Sequence, residues 1–231
     1  MHTCDGQEPY EVTSLRASED GERVFVRVRE RGAPGGKGGK TFSLRVEEYA
    51  ALPLEVRRGM MLSAEDVERL EAAAQSSGAY GRGLNILGYG ANSAKTLQRK
   101  LVQKGYDADA AQRAVDTLSE RGYLQEERDA VRMAQQIMRR GRGMRRILQE
   151  LRAKGYGERA LAAAREALAE EDFVQLCCRV ARGKMRCRPS DRAESEKLAA
   201  YLMRCGFGST EIREALRTAW DDSLASEDEF D

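Results

Sequence analysis

One histidine, His2, is all the imidazole that this 231-residue chain has, and it lies at the second position. Serine–histidine and cysteine–histidine catalysis therefore have no base in the body of the chain. The five cysteines, Cys4, Cys177, Cys178, Cys187 and Cys205, contain no C-x-x-C spacing, so a zinc site lacks its usual signature. Cys177 and Cys178 fall in a helical stretch, where reduced cysteine serves as a small apolar filler. Aromatic residues make up only 6%, which leaves little for stacking on nucleic-acid bases. No apolar run approaches membrane-spanning length, and "MHTCDGQEPYE" lacks the basic-then-apolar pattern of a leader. The expected setting is the cytoplasm, with no membrane contact, no metal and no cofactor. Net charge is also nearly absent, at +1 from 39 basic and 38 acidic residues. Attraction to a polyanion must then come from uneven placement of charge.

What is present begins with "GAPGGKGGKTF", residues 32 to 42, which looks like a phosphate-binding loop. The P-loop pattern requires a glycine five positions before Gly39, and that position is Pro34. The flanks decide the matter. Val24, Val26 and Val28 alternate with Phe25, Arg27 and Arg29 before it, and Phe42, Leu44 and Val46 alternate with Ser43 and Arg45 after it. Such two-residue periods mark half-buried strands, whereas a P-loop opens directly into a helix. The stretch reads as a hairpin tip, and the chain as a non-enzyme.

A short helical turn and a break at Pro53 follow, and then Ser63 and Asp66 form a capping box ahead of a helix with Val67, Leu70 and Ala74 on one face. "SSGAYGRG", residues 76 to 83, reads as the end of that helix. Residues 1–78 are thus expected to form a β-hairpin and helix module.

An internal repeat follows. "TLQRKLVQKGY", "RILQELRAKGY" and "KLAAYLMRCGF" place Gly105, Gly155 and Gly206 at intervals of 50 and 51 residues. Leu101, Leu151 and Leu202 stand four positions before each glycine, and Leu97, Ile147 and Leu198 stand eight before. That spacing sets each pair on one helical face, and the glycine suits the left-handed residue that ends a helix. The fold class expected is mainly α: tandem three-helix repeats in an elongated array behind the N-terminal module. The repeats are expected at 79–140, 141–188 and, truncated, 189–220. Third helices are expected near 126–140 and 172–185, and an acidic tail fills 221–231.

Charge gathers at the joints between repeats. Arg139, Arg140, Arg142, Arg145 and Arg146 lie within eight positions, with no acid among them. Arg179, Arg182, Lys184, Arg186 and Arg188 form a second cluster. Arginine near a helix C-terminus also offsets the macrodipole. Two clusters at equivalent joints, however, favour a basic surface facing a polyanion or an acidic protein groove. The pattern suits contact with the DNA phosphate backbone and gives no sign of base-specific reading.

The ordered motifs "L-x-x-K-L-x-x-K-G-Y", "AVDTLSERGYLQEERDAVRMAQQIMRRG" and "RRILQELRAKGY", preceded by "LPLEVRRGMMLSAEDVERL", resemble the RecX family of recombinase regulators over about residues 44–220. The resemblance implies a small bacterial protein of tandem three-helix units that binds the RecA recombinase in the groove of its DNA filament. It also implies inhibition of recombinase ATPase, strand exchange and coprotease activity, and so an effect on homologous recombination, DNA repair and the SOS response. Where the family commonly opens its first repeat with R-x-R-S-x-x-E-L, this chain has "GANSAKTL", keeping Ser93 and Leu97 but replacing the charged positions with Gly90, Asn92 and Thr96. The residues alone leave a rival open: a helix-turn-helix-like DNA-binding module that acts without a recombinase.

Overall fold

The computed structural model describes residues 10–31 and 39–220. His2, Cys4, residues 32–38 of the glycine-rich stretch and the acidic tail 221–231 lie outside the described residues, and with them the hairpin-tip and tail readings. The chain divides into two compact units, Met1–Gly90 with Thr96–Leu124, and Ala91–Lys95 with Gln125–Asp231.

In the first unit, β1 (Tyr10–Ala17), β2 (Arg23–Glu30), β3 (Gly39–Arg45) and β4 (Met61–Leu62) form an antiparallel sheet in the order β3-β2-β1-β4. The expected hairpin is β2–β3, in register from Arg23 opposite Arg45 to Arg29 opposite Gly39. β1 and β4 were not foreseen. A bulge between Val12 and Ser14 shifts the register of β1, so its inward residues Val12 and Leu15 are three apart and the two-residue period is lost. One sheet face buries Val12, Val26, Val28, Phe42, Leu44 and Leu62 against Val67 and Leu70 of α2 (Ala64–Gly88). Between strand and helix runs the short α1 (Val46–Ala50).

The end expected for α2 at residues 76–83 is corrected by the structure: the helix passes through "SSGAYGRG" to Gly88. Its small residues are contact points. A Cβ on Gly83 would lie 2.5 Å from Leu118 Cδ1, and one on Gly78 would lie 3.0 Å from the Tyr106 ring. Ser77 Oγ accepts from the Arg45 N–H at 2.9 Å, and Ser76 Oγ accepts from Arg113 Nε at 2.8 Å. Packing of α4 (Ala108–Glu120) against this face outweighs the weak helix propensity of serine and glycine. α3 (Ala94–Gln103) buries Leu97 and Leu101 completely.

The second unit holds α5 (Glu126–Arg139), α6 (Met144–Ala153), α7 (Glu158–Ala167), α8 (Phe173–Lys184), α9 (Arg192–Cys205) and α10 (Ser209–Thr218). Two cores organise it. Ala130, Ala134 and Ile137 of α5 pack with Ile147, Leu151, Leu161 and Ala164 of α6 and α7. Leu176, Cys177 and Ala181 of α8 pack with Leu198, Leu202, Phe207 and Ile212 around α9 and α10. Each core therefore joins a glycine-linked helix pair to the helix that precedes it in the chain. The alternation of a large aliphatic on one helix with alanine on the next lets the three axes approach closely.

Candidate partner-binding surface

The first arginine cluster sits where α5 ends and α6 begins. Arg140 is the C-terminal cap of α5, and Gly141 turns the chain with φ +74°, where a Cβ would lie 2.8 Å from Val180 of α8. Gly143 then starts α6 against the end of α9: its N–H donates to the Cys205 carbonyl at 3.0 Å, and the Arg145 N–H donates to the Gly206 carbonyl at 3.1 Å. A Cβ on Gly143 would stand 2.5 Å from the Gly206 carbonyl carbon, so only glycine allows this approach. The N-terminus of one helix thus meets the C-terminus of another, the favourable pairing of their dipoles. A related junction lies earlier, where Ser93 Oγ donates to the Lys154 carbonyl at 2.8 Å and Glu126 Oε1 accepts from the Ala94 N–H at 2.7 Å.

The cluster divides by what its side chains touch. Arg142 Nη1 lies 3.4 Å from Cys205 Sγ, and Arg146 Nε pairs with Glu150 Oε1 at 2.8 Å. Arg142 thus reaches across the junction, while the Arg146 side chain pairs within α6. Arg139, Arg140 and Arg145 are exposed. Arg139 and Arg140 line a cleft of about 410 Å³ together with Arg179 of the second cluster, 39 positions on from Arg140. Met138, Phe173, Leu176 and Val180 supply its apolar lining, and Glu171 and Asp172 line it as well. The Asp172 carboxylate is engaged as the α8 N-cap, accepting from the Gln175 N–H at 2.9 Å.

The rest of the second cluster scatters. Lys184 Nζ lies 5.2 Å from the centre of the Tyr201 ring, Arg188 Nη2 reaches the Arg217 carbonyl at 3.5 Å, Arg182 is half-buried and Arg186 is exposed. The repeat residues take up the backbone instead. Leu101, Leu151 and Leu202 are fully buried, and Gly105, Gly155 and Gly206 have φ of +94°, +85° and +96°.

Three relatives place the chain. The regulatory protein RecX of Pelodictyon phaeoclathratiforme is 34% identical over 137 residues, 58% of this chain and 84% of its own length. That of Halorhodospira halophila is 30% identical over 153 residues, 66% of this chain and 94% of its own. That of Xanthomonas citri is 34% identical over 146 residues, 61% and 87% respectively. The chain belongs to the RecX family. The family's first three-helix domain matches residues 79–118, from within α2 to within α4. A crystal structure of a regulatory protein RecX shares the fold with a TM-score of 0.68 at 19% identity, covering 88% of this chain and 97% of that one. The crystal structure of RecX from Lactobacillus salivarius does so with a TM-score of 0.57 at 20% identity, covering 63% and 96%.

The residues of this cleft have the chemistry of a binding surface. Arginine forks beside an apolar wall receive a group that is part apolar and part anionic. The nearby thiol of Cys177 is pushed up to about 12 by burial, which keeps it protonated and unreactive. Among the described residues, no group of three or more His, Cys, Asp and Glu is placed to hold a metal ion, and no helix is long and apolar enough to cross a membrane.

One constellation has no signal in the sequence. Arg45 stacks 3.8 Å from the centre of the Tyr80 ring, Arg121 lies 5.4 Å from the same centre, and both guanidinium groups reach the Glu47 carboxylate, at 3.0 and 2.7 Å. Those hydrogen bonds, the Arg121 one foremost, hold the Glu47 carboxyl down at about 2. Its members come from β3, α1, α2 and the end of α4, elements that only folding brings together.

Proposed function

We propose that the chain is a non-enzymatic, cytoplasmic regulator that binds the RecA recombinase and its DNA filament and restrains it, lowering ATPase, strand-exchange and coprotease activity in recombination and repair. Family membership supports this partner, and the chemistry of the cleft supports this mode of binding. The observation that carries the proposal is the meeting of Arg139, Arg140 and Arg179, from two separate joints, beside the apolar residues Phe173, Leu176 and Val180. An acidic, partly apolar segment of the recombinase fits that combination, while Arg145 and Arg186 extend the positive field towards DNA phosphates. A regulator of this kind acts by binding one nucleotide-dependent arrangement of the filament better than another.

The test compares recombinase ATPase on single-stranded DNA with wild-type chain and with Arg139→Glu/Arg140→Glu/Arg179→Glu. Loss of inhibition in the variant, with helical content intact, is the expected result. Equal binding to naked duplex and to recombinase-coated DNA would favour a stand-alone DNA-binding module instead.

A further inference from the structure

Only one face of the four-stranded sheet is covered by α1 and α2. Alternation along β2 buries Val26 and Val28 and turns Arg23, Phe25, Arg27 and Arg29 to the other side. The register of the sheet assembles the rest of that face. Arg16 of β1 and Ser43 of β3 lie opposite Phe25, and Ser14 and Thr41 lie opposite Arg27. Arg23 Nε donates to Ser43 Oγ at 3.0 Å, and Thr13 Oγ1 donates to the Arg27 carbonyl at 3.2 Å.

Phe25 is 37% exposed, a large aromatic ring on a solvent face, with Arg16, Arg27 and Arg29 exposed around it. Among the described strand residues, the register sets one acid, Glu11, on this face beside Arg16, Arg23, Arg27 and Arg29, its carboxylate 3.4 Å from Arg29. The adjoining β1–β2 turn carries Glu19, Asp20 and Glu22, next to Arg23 in the chain. Among them, Asp20 accepts from the Ser18 hydroxyl and the Glu22 N–H.

We propose that this outer sheet face binds single-stranded DNA, with backbone phosphates on Arg16, Arg23, Arg27 and Arg29 and a base on the ring of Phe25. The charge is complementary and is spread along a strand in steps of about 6.7 Å, which an extended single strand can follow. Every base has a π-face, so one central aromatic among cations suits any sequence. A duplex hides its base faces and would leave Phe25 unused. An acidic protein segment would use the arginines but would find a lone ring rather than an apolar groove. The choice of DNA over RNA rests on the recombinase reading above; the contact chemistry does not.

The experiment is fluorescence anisotropy of the full chain, without recombinase, on a labelled oligothymidylate of about 16 nucleotides, the upper end of a typical single-strand site. Phe25→Ala and Arg27→Glu should each weaken binding about tenfold, Phe25→Trp should retain it, and a duplex of equal length should bind more weakly. Both positions face solvent, so thermal melts should stay near wild type. Phe25→Trp against wild type gives a second reading that does not depend on a truncated side chain. Unchanged affinity in Phe25→Ala and Arg27→Glu overturns the proposal, as does tighter binding of oligouridylate. So does a sedimentation shift showing that Phe25→Ala splits a dimer while DNA affinity holds, since the face would then join two copies. The Arg139/Arg140/Arg179 triple variant separates the two readings. If it inhibits like wild type, the cleft proposal fails while oligonucleotide binding still reports on the sheet.

Discussion

Gly105 and Gly206 occupy equivalent places in the repeat yet differ in surroundings. Both have left-handed φ, which an L-residue adopts at a cost of about 1–2 kcal/mol. A Cβ on Gly105 meets no atom within 4 Å, whereas one on Gly206 would stand 2.3 Å from Arg146 Cβ and 2.4 Å from its backbone nitrogen. Gly105→Ala should therefore lower stability by about 1–2 kcal/mol, and Gly206→Ala by about 2–5 kcal/mol once overpacking is added. Denaturant melts of the two variants check this, and equal losses would remove the junction contact from the account. At Glu47 the carboxyl is held low when folded, so its stabilising effect is present above the ordinary carboxylate range and is lost as pH falls towards about 2. Glu47 is more than half exposed, so screening limits the effect to about 1 kcal/mol or less. Glu47→Gln should flatten the dependence of melting temperature on pH between about 4.5 and 2 and leave the wild-type slope outside that window. The helix-ending glycines were legible because their chemistry is local. The Arg45–Tyr80–Arg121–Glu47 cluster was not, because Glu47 and Arg121 are 74 positions apart.

Among the elements, α2 shows how tertiary packing overrides a local signal. Serine and glycine at 76–83 have the composition of a helix end, and the helix continues because α4 needs close approach there. Gly83→Ala, which raises helix propensity, should nonetheless destabilise by about 1–3 kcal/mol through contact with Leu118, and Leu118→Ala in the same chain should recover part of that loss. A double-mutant cycle by thermal melting measures the coupling. A stabilising Gly83→Ala would mean that α2 and α4 stand further apart than the structure has them. β2, and β3 as far as Leu44, were readable from alternation, whereas Val46, read as continuing it, opens α1 and is exposed while Arg45 is buried. β1 was not readable, because its bulge breaks the period, and β4 is only two residues long. The hydrophobic positions of α3, α6 and α9 were visible in the repeat. The grouping of each pair with the preceding helix required the cores themselves.

At the scale of the whole molecule, near-zero net charge conceals opposing local fields. Exposed arginines at the joints and on the sheet face are balanced by acids elsewhere in the chain. Composition could show the clusters but not that Arg139, Arg140 and Arg179 share a cleft, because that depends on how α5 and α8 pack. Nor could it set Phe25 at the centre of a basic face. Electrostatic association with a filament should weaken as ionic strength rises, since both protein charges and phosphates are screened. The most direct measurement of the central claim is recombinase ATPase on single-stranded DNA, titrated with wild-type chain and with the Arg139→Glu/Arg140→Glu/Arg179→Glu variant at two salt concentrations. This triple change leaves Arg142 and Arg146 at the junction, so the fold should hold, each surface charge contributing about 1 kcal/mol or less to stability. Wild type should suppress the ATPase, less strongly at high salt, and the variant should lose at least about tenfold in potency with a shallower salt dependence. A folded variant that suppresses the ATPase at wild-type potency would contradict the account.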